Sequence, residues 1–247
     1  MTNLILHIPH ASLRFPDTEG FFISRDAIQA EALKLTDLYT DELFAGQPND
    51  IVVAADFCRV YCDVERFQDD NLEPMSQFGM GAVYTKTEAG QALRRITPKQ
   101  KDNILQHFYV PHHQRLTEAC NRHLKEQNRC MIVDCHSFPN EAFRTSLQQG
   151  NEKFDFNIGT DWYHTPEDLT EASKDYFETL GYNLGIDTPY SGTIVPMSHF
   201  RTEKRVLSIM LEVNRQLYLD ANFCRTQNFE SIKNVVNGFL GLMREVG

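Results

Sequence analysis

The strongest constraint on this chain is a repeating alternation. Short apolar bursts closed by turn-forming residues recur along it, separated by stretches of helical periodicity. A short apolar burst bounded by turn residues fits a buried strand, and strands alternating with helices predict a layered α/β architecture. The predicted strands are Leu4 to Ile8, Ile51 to Ala55, Arg59 to Asp63, Met131 to Asp134, Phe154 to Ile158 and Val206 to Val213. Between them, Thr97-Pro98-Lys99-Gln100 has the form of a capping box with proline at the first helical position. The long helix it opens should be kinked or broken at Pro111. Thr165-Pro166-Glu167-Asp168 repeats the device, predicting a helix with Leu169, Ala172, Phe177 and Leu180 inward and a stop at Gly181. The last helix, from about Asn228, places Phe229, Ile232, Val236, Phe239 and Met243 on one face.

Composition narrows the function classes. Twenty-four Lys and Arg against 34 Asp and Glu give a net charge of −10, and with no basic stripe to compensate, a nucleic-acid partner is excluded. Hydrophobic residues at 41% can fill a core. No linker or repeat divides residues 1–247, so a single domain is expected. The N-terminal apolar stretch lacks a basic region and is interrupted by His7. With no long apolar run elsewhere, neither a signal segment nor a membrane span is read, and a cytoplasmic location is expected. The six cysteines form no C-x-x-C pair and read as small buried thiols. Residues 67–95 lack periodicity and read as a long surface loop, a type that tends to carry function. Oligomeric state is not legible.

Three segments place a chemically able residue at or just past the end of an apolar strand, where α/β sheets build their sites. These are Leu4 to Ser12, with His10 after Pro9; Met131 to Pro139, with His136; and Val206 to Arg215, with Glu212 inside an otherwise apolar run. Two imidazoles from separate strand ends plus a carboxylate suit an open catalytic zinc site, although either histidine also fits a structural role. Glu212 suits a proton acceptor whose pKa is raised by apolar surroundings, or else a buried partner of Arg215. Arg59 and Arg66 have the planar fork that holds carboxylates. On a regular strand their odd separation would point them to opposite faces, so a turn after about Asp63 would be needed to join them. Cys135 beside His136 is a poor nucleophile, because adjacent strand residues face opposite sides.

Taken in order, Ile8-Pro9-His10, Asp37, Arg59 with Asp63-x-x-Arg66, Asp134-x-His136-Ser137 and Glu212 followed by Asn214-Arg215 resemble the N-formylglutamate amidohydrolase family. More distantly they resemble the zinc carboxypeptidase and aspartoacylase group. The resemblance implies a three-layer α/β/α sandwich with a mixed sheet of the phosphorylase/hydrolase-like, zinc-exopeptidase kind. It also implies one zinc ion and hydrolysis of the amide of an N-formyl or N-acyl acidic amino acid, such as N-formyl-L-glutamate, to formate and the amino acid. It makes His10, Asp37 and His136 the metal ligands, Asp37 standing in because Leu13 occupies the position where the wider group has a carboxylate. Glu212 becomes the catalytic base, Arg59 the support for the oxyanion, and Arg66 and Arg201 the holders of the substrate carboxylates, with His199 and Tyr190 nearby. Glu65 departs from the asparagine usual before that arginine, and a carboxylate there would repel an acidic substrate. A related zinc deacylase or carboxypeptidase acting on another N-acyl amino acid or small peptide, or a binding module that kept the pocket, are the alternative readings.

Overall fold

The computed structural model describes residues 2–141, 143–144 and 152–247. Its centre is a six-stranded mixed sheet made of β1 (Leu4–Ile8), β2 (Ile51–Ala54), β3 (Cys130–Phe138), β4 (Phe156–Gly159), β5 (Leu184–Ile186) and β6 (Val206–Asn214), in the order β2-β1-β3-β6-β4-β5. β2, β1, β3 and β6 are parallel, β4 is antiparallel to β6, and β5 is parallel to β4. The helices are α1 (Arg25–Leu35), α2 (Thr40–Leu43), α3 (Pro98–Ile104), α4 (Val110–Gln127), α5 (Glu167–Thr179) and α6 (Phe229–Val246).

Period-two alternation divides the strands between two faces. Leu4, Leu6, Ile8, Met131, Val133, Cys135, Leu207, Ile209, Leu211 and Val213 form one core with Leu169 and Phe177 of α5 and Phe229, Ile232, Val236, Phe239 and Met243 of α6. On the other face Ile5, Val53, Cys130, Ile132 and Val206 pack on Leu116, Ala119 and Cys120 of α4. Helices cover both faces, consistent with a three-layer α/β/α arrangement. The α4 side also carries polar residues toward the C-terminal ends of the strands: His7, Asp134, His136 and Glu212, with His136 and Glu212 directly opposite one another across β3 and β6.

Several expectations are revised. Arg59–Asp63 is not a strand: the Tyr61 and Cys62 N–H groups both donate to the Cys58 carbonyl, at 2.9 and 3.2 Å, making a tight turn. Val60, Tyr61 and Cys62 are buried under loops instead of in the sheet, and a short apolar run looks the same in either setting. The Thr97 capping box forms as expected. Pro111 does not end the helix. A π turn over Leu105–Tyr109, closed by Val110 N–H to the Leu105 carbonyl, joins α3 to α4. Thr165 donates to the Ser208 carbonyl and caps nothing, and Leu180 is 48% exposed. Gly181, at φ +81°, follows the end of α5 as expected. β5 was not predicted, since three residues around Gly185 leave almost no pattern.

Candidate active site

The connections leaving β1 and β3 run to opposite sides, since β2 lies beyond β1 and β6 beyond β3. Such a switch point opens a crevice at the carboxyl ends of the strands. His10 lies just past β1, and His136 sits near the end of β3. Asp37 arrives from the α1–α2 connection, which is pinned to the loop after β1 by Asp37 N–H donating to the His10 carbonyl at 2.9 Å. One donor atom from each of the three falls within 4.8 Å of the others, and all three residues are buried. Asp37 Oδ2 lies 3.2 Å from His136 Nδ1 and 3.6 Å from His10 Nδ1, and the latter nitrogen has no hydrogen-bond partner among the described residues.

The far side of each donor is held. His10 Nε2 bonds Asp63 Oδ1 at 2.8 Å, His136 Nε2 bonds Asp134 Oδ1 at 3.0 Å, and Arg215 donates to Asp37 Oδ1 at 2.7 Å. Outer partners of this kind fix ring orientation and tautomer in metal sites. Burial opposes ionisation of Asp37, but His10, His136 and Arg215 overcome it and hold the carboxyl well below its usual range. The imidazole of His136 is likewise raised against burial by Asp134 and Asp37.

Glu212 is placed by register, facing the same side as His136. Its Oε2 is buried without a hydrogen-bond partner among the described residues, and burial, reinforced by the charge of Asp37, pushes its carboxyl up to about 8. Arg215 therefore serves Asp37 and Ser137 and is not the salt-bridge partner that burial of Glu212 suggested.

The turn after β2 joins Arg59 and Arg66 as the spacing required. Arg59 donates to Asp63 Oδ2 from Nε at 3.2 Å and from a terminal nitrogen at 3.0 Å, and Arg66 Nε lies 3.7 Å from the same oxygen. Tyr84, from the long loop, donates to it at 2.6 Å. One buried carboxylate thus orients a candidate ligand and both arginines. Burial disfavours its charge, yet Arg59, His10 and Arg66 keep it ionised far below the normal range. Glu65 turns toward His7, with Oε1 3.2 Å from Nδ1. Although burial disfavours its charge, His7 rises to about 9 through its bond to Asp134 and the nearby carboxylate of Glu65.

Tyr190 is brought close: its N–H donates to Asn157 Oδ1 at 3.3 Å, and Asn157 pairs in register with Glu212. Arg201 and His199 are not. Arg201 N–H donates to His164 Nε2, whose Nδ1–H donates to the carbonyl of Val206 at the start of β6, and its guanidinium reaches Asp161 at 3.1 Å. Six residues of strand, about 20 Å, separate that end from Glu212. His199 bonds Asn121 on the surface. Sequence reasoning gave no role to Asp63, Tyr84, Asp134 or His7. Asp134 carries a readable signal, a carboxylate two positions before a strand histidine and therefore on its face.

Protonated Glu212 binds its proton more tightly in the folded protein (about 8) than at its ordinary value of 4.5. Its contribution to stability is complete below 4.5 and is lost as pH rises through 8. In metal-free protein, Glu212→Gln should therefore raise Tm relative to wild type by an amount that grows from pH 5 to pH 9. Thermal melts across that range check this, and a difference shrinking with pH would contradict it.

A strand-end cluster of imidazole and carboxylate donors, facing a buried carboxylate whose oxygen has no partner among the described residues, is the arrangement of a metal-dependent hydrolase. Residues 2–219 match the profile of the N-formylglutamate amidohydrolase family, to which the chain belongs. Among solved structures it is similar to an N-formylglutamate amidohydrolase from Ralstonia eutropha JMP134, with 22% identity, a TM-score of 0.82 and coverage of 99% of this chain and 92% of that one. It is also similar to gene product Atu2144 of Agrobacterium tumefaciens, with 17% identity, a TM-score of 0.67 and coverage of 98% and 88%. At these identities both likenesses speak to the fold. A search of curated proteins found no match.

Proposed function

We propose that the protein is a zinc-dependent amidohydrolase of N-formyl or N-acyl acidic amino acids, with N-formyl-L-glutamate as the type substrate, working in the cytoplasm as a single domain. The observation that carries this reading is that His10 Nδ1, within the Asp37 and His136 cluster, and Glu212 Oε2, on the residue opposite His136, are both buried without partners among the described residues. One imidazole nitrogen from each histidine and a carboxylate oxygen form a donor set that fits zinc, with no thiol needed. His10, Asp37 and His136 would hold the ion, which supplies the charge that polarises a carbonyl and acidifies water.

The chain's own residues supply the rest. Glu212 accepts the proton of the attacking water at Oε2 and returns it to the leaving nitrogen. Arg59, fixed by Asp63, faces the charge that develops on the carbonyl oxygen. Arg66 holds the substrate carboxylate, and Tyr190 borders the pocket on the Asn157 side. Arg201 and His199 have no place in this mechanism, being at the other end of the strand.

His136→Ala tests the reading. Bound zinc measured at this cluster should fall to background, with hydrolysis of N-formylglutamate lost in parallel. A variant that keeps its zinc there and the wild-type rate places the chemistry elsewhere.

A further inference from the structure

A second group of donors lies beside the first. His7 on β1, Asp134 on β3 and Glu65 in the turn after β2 bring one ligand atom each to within 4.8 Å of one another. His7 and Asp134 are buried, and the Glu65 side chain is 17% exposed. The proposed mechanism uses Asp134 only to hold His136 and gives His7 and Glu65 nothing to do.

The construction repeats that of the His10 cluster. The far nitrogen of His7 meets His112 Nε2 at 2.8 Å, and Asp134 Oδ2 accepts from Ile194 N–H at 3.0 Å. Two of the three donors, His7 and Asp134, are thus braced from behind, as ligands in metal sites are. In front, Asp134 Oδ1, which also meets His136 Nε2, is 2.8 Å and Glu65 Oε1 3.2 Å from His7 Nδ1, and Glu65 Oε1 is buried with no hydrogen-bond partner among the described residues. Two carboxylates converging on one imidazole, with one oxygen left over, form an acceptor set that a divalent cation satisfies and a single proton satisfies only in part.

We propose that His7, Glu65 and Asp134 form a second divalent-cation site, separate from the one at His10, Asp37 and His136. Its imidazole and two carboxylates suit zinc or manganese. The His136 ring stands between the two groups, with Nδ1 toward Asp37 and Nε2 on Asp134 Oδ1, so the two ions would share no ligand atom as the close pair, about 4 Å apart, of two-metal catalysis does. The second ion instead neutralises Glu65 beside Arg66, which removes the repulsion an acidic substrate would meet there, and it fixes the carboxylate that orients His136. A proton on His7 Nδ1 is its competitor for the space.

The test is metal stoichiometry and position. Purified full-length protein, stripped with chelator and dialysed against zinc, should bind two equivalents, and anomalous scattering at the zinc edge should give one peak at each cluster. Glu65→Gln, at a partly exposed position, should lose one equivalent and the peak at His7 while keeping the peak at His10 and a wild-type circular dichroism spectrum. A single peak at the His10 cluster in the wild type, or two peaks retained in Glu65→Gln, overturns the second site and leaves the proposed function standing. A single peak at His7 supports the second site and overturns the assignment of the catalytic metal. No peak at either cluster overturns both.

Discussion

Glu212→Gln is expected to lower kcat for N-formylglutamate by about two to four orders of magnitude, the usual contribution of a positioned general base. Zinc bound at the His10 cluster should remain, because Glu212 is not among the three donors there. The amide keeps the shape of the side chain and its burial opposite His136, but it cannot take up a proton. KM should change much less than kcat, since the interaction lost is made during proton transfer and not on binding. Steady-state kinetics with metal analysis on the same preparation separate the cases. Loss of zinc together with activity would make Glu212 a structural or ligating residue.

Asp63→Ala is expected to have the largest effect on stability. The substitution strips His10, Arg59 and Tyr84 of hydrogen bonds and Arg66 of its ion-pair partner, leaving two part-buried guanidinium groups without compensation. Breaking a buried ion pair from one side costs about 3–5 kcal/mol, which in a chain of this size lowers Tm by on the order of 10 °C. Removing the group that orients His10 should also weaken metal binding by about 10- to 100-fold. Differential scanning calorimetry and a competition titration with a chromogenic chelator read the two effects. Unchanged Tm and unchanged affinity together would show that Asp63 organises nothing.

What the sequence made legible follows from how local each signal is. β1, β3 and β6 were found because each carries a dense apolar run, and α6 because its apolar residues recur with helical period over a long stretch. His10, His136 and Glu212 stand out because a polar residue in or just beyond such a run is conspicuous. Asp37 was reached only through family resemblance: what draws it to His10 is a backbone hydrogen bond between two loops, which no side-chain pattern records. Asp63 is not legible as an organiser because the Arg59 turn reads as a strand, and only the turn collects four side chains around one carboxylate. Arg201 lies near Glu212 in sequence but beside the opposite end of β6, because nearness in sequence to a strand says nothing about which end of it is meant.

Arg215 bonds Asp37 across 178 positions, and it also donates to the carbonyl of Lys34 and to Ser137 Oγ. All three donors of the His10 cluster have left the ribosome long before this guanidinium is made. A nascent chain ending near residue 200 holds His10, Asp37 and His136 but lacks β6, and with it the clamp that turns Asp37 toward the histidines. On the proposed metal assignment, high-affinity capture of the ion should therefore wait until synthesis has passed the sixth strand, so that metal loading would report a finished fold and not template an unfinished one.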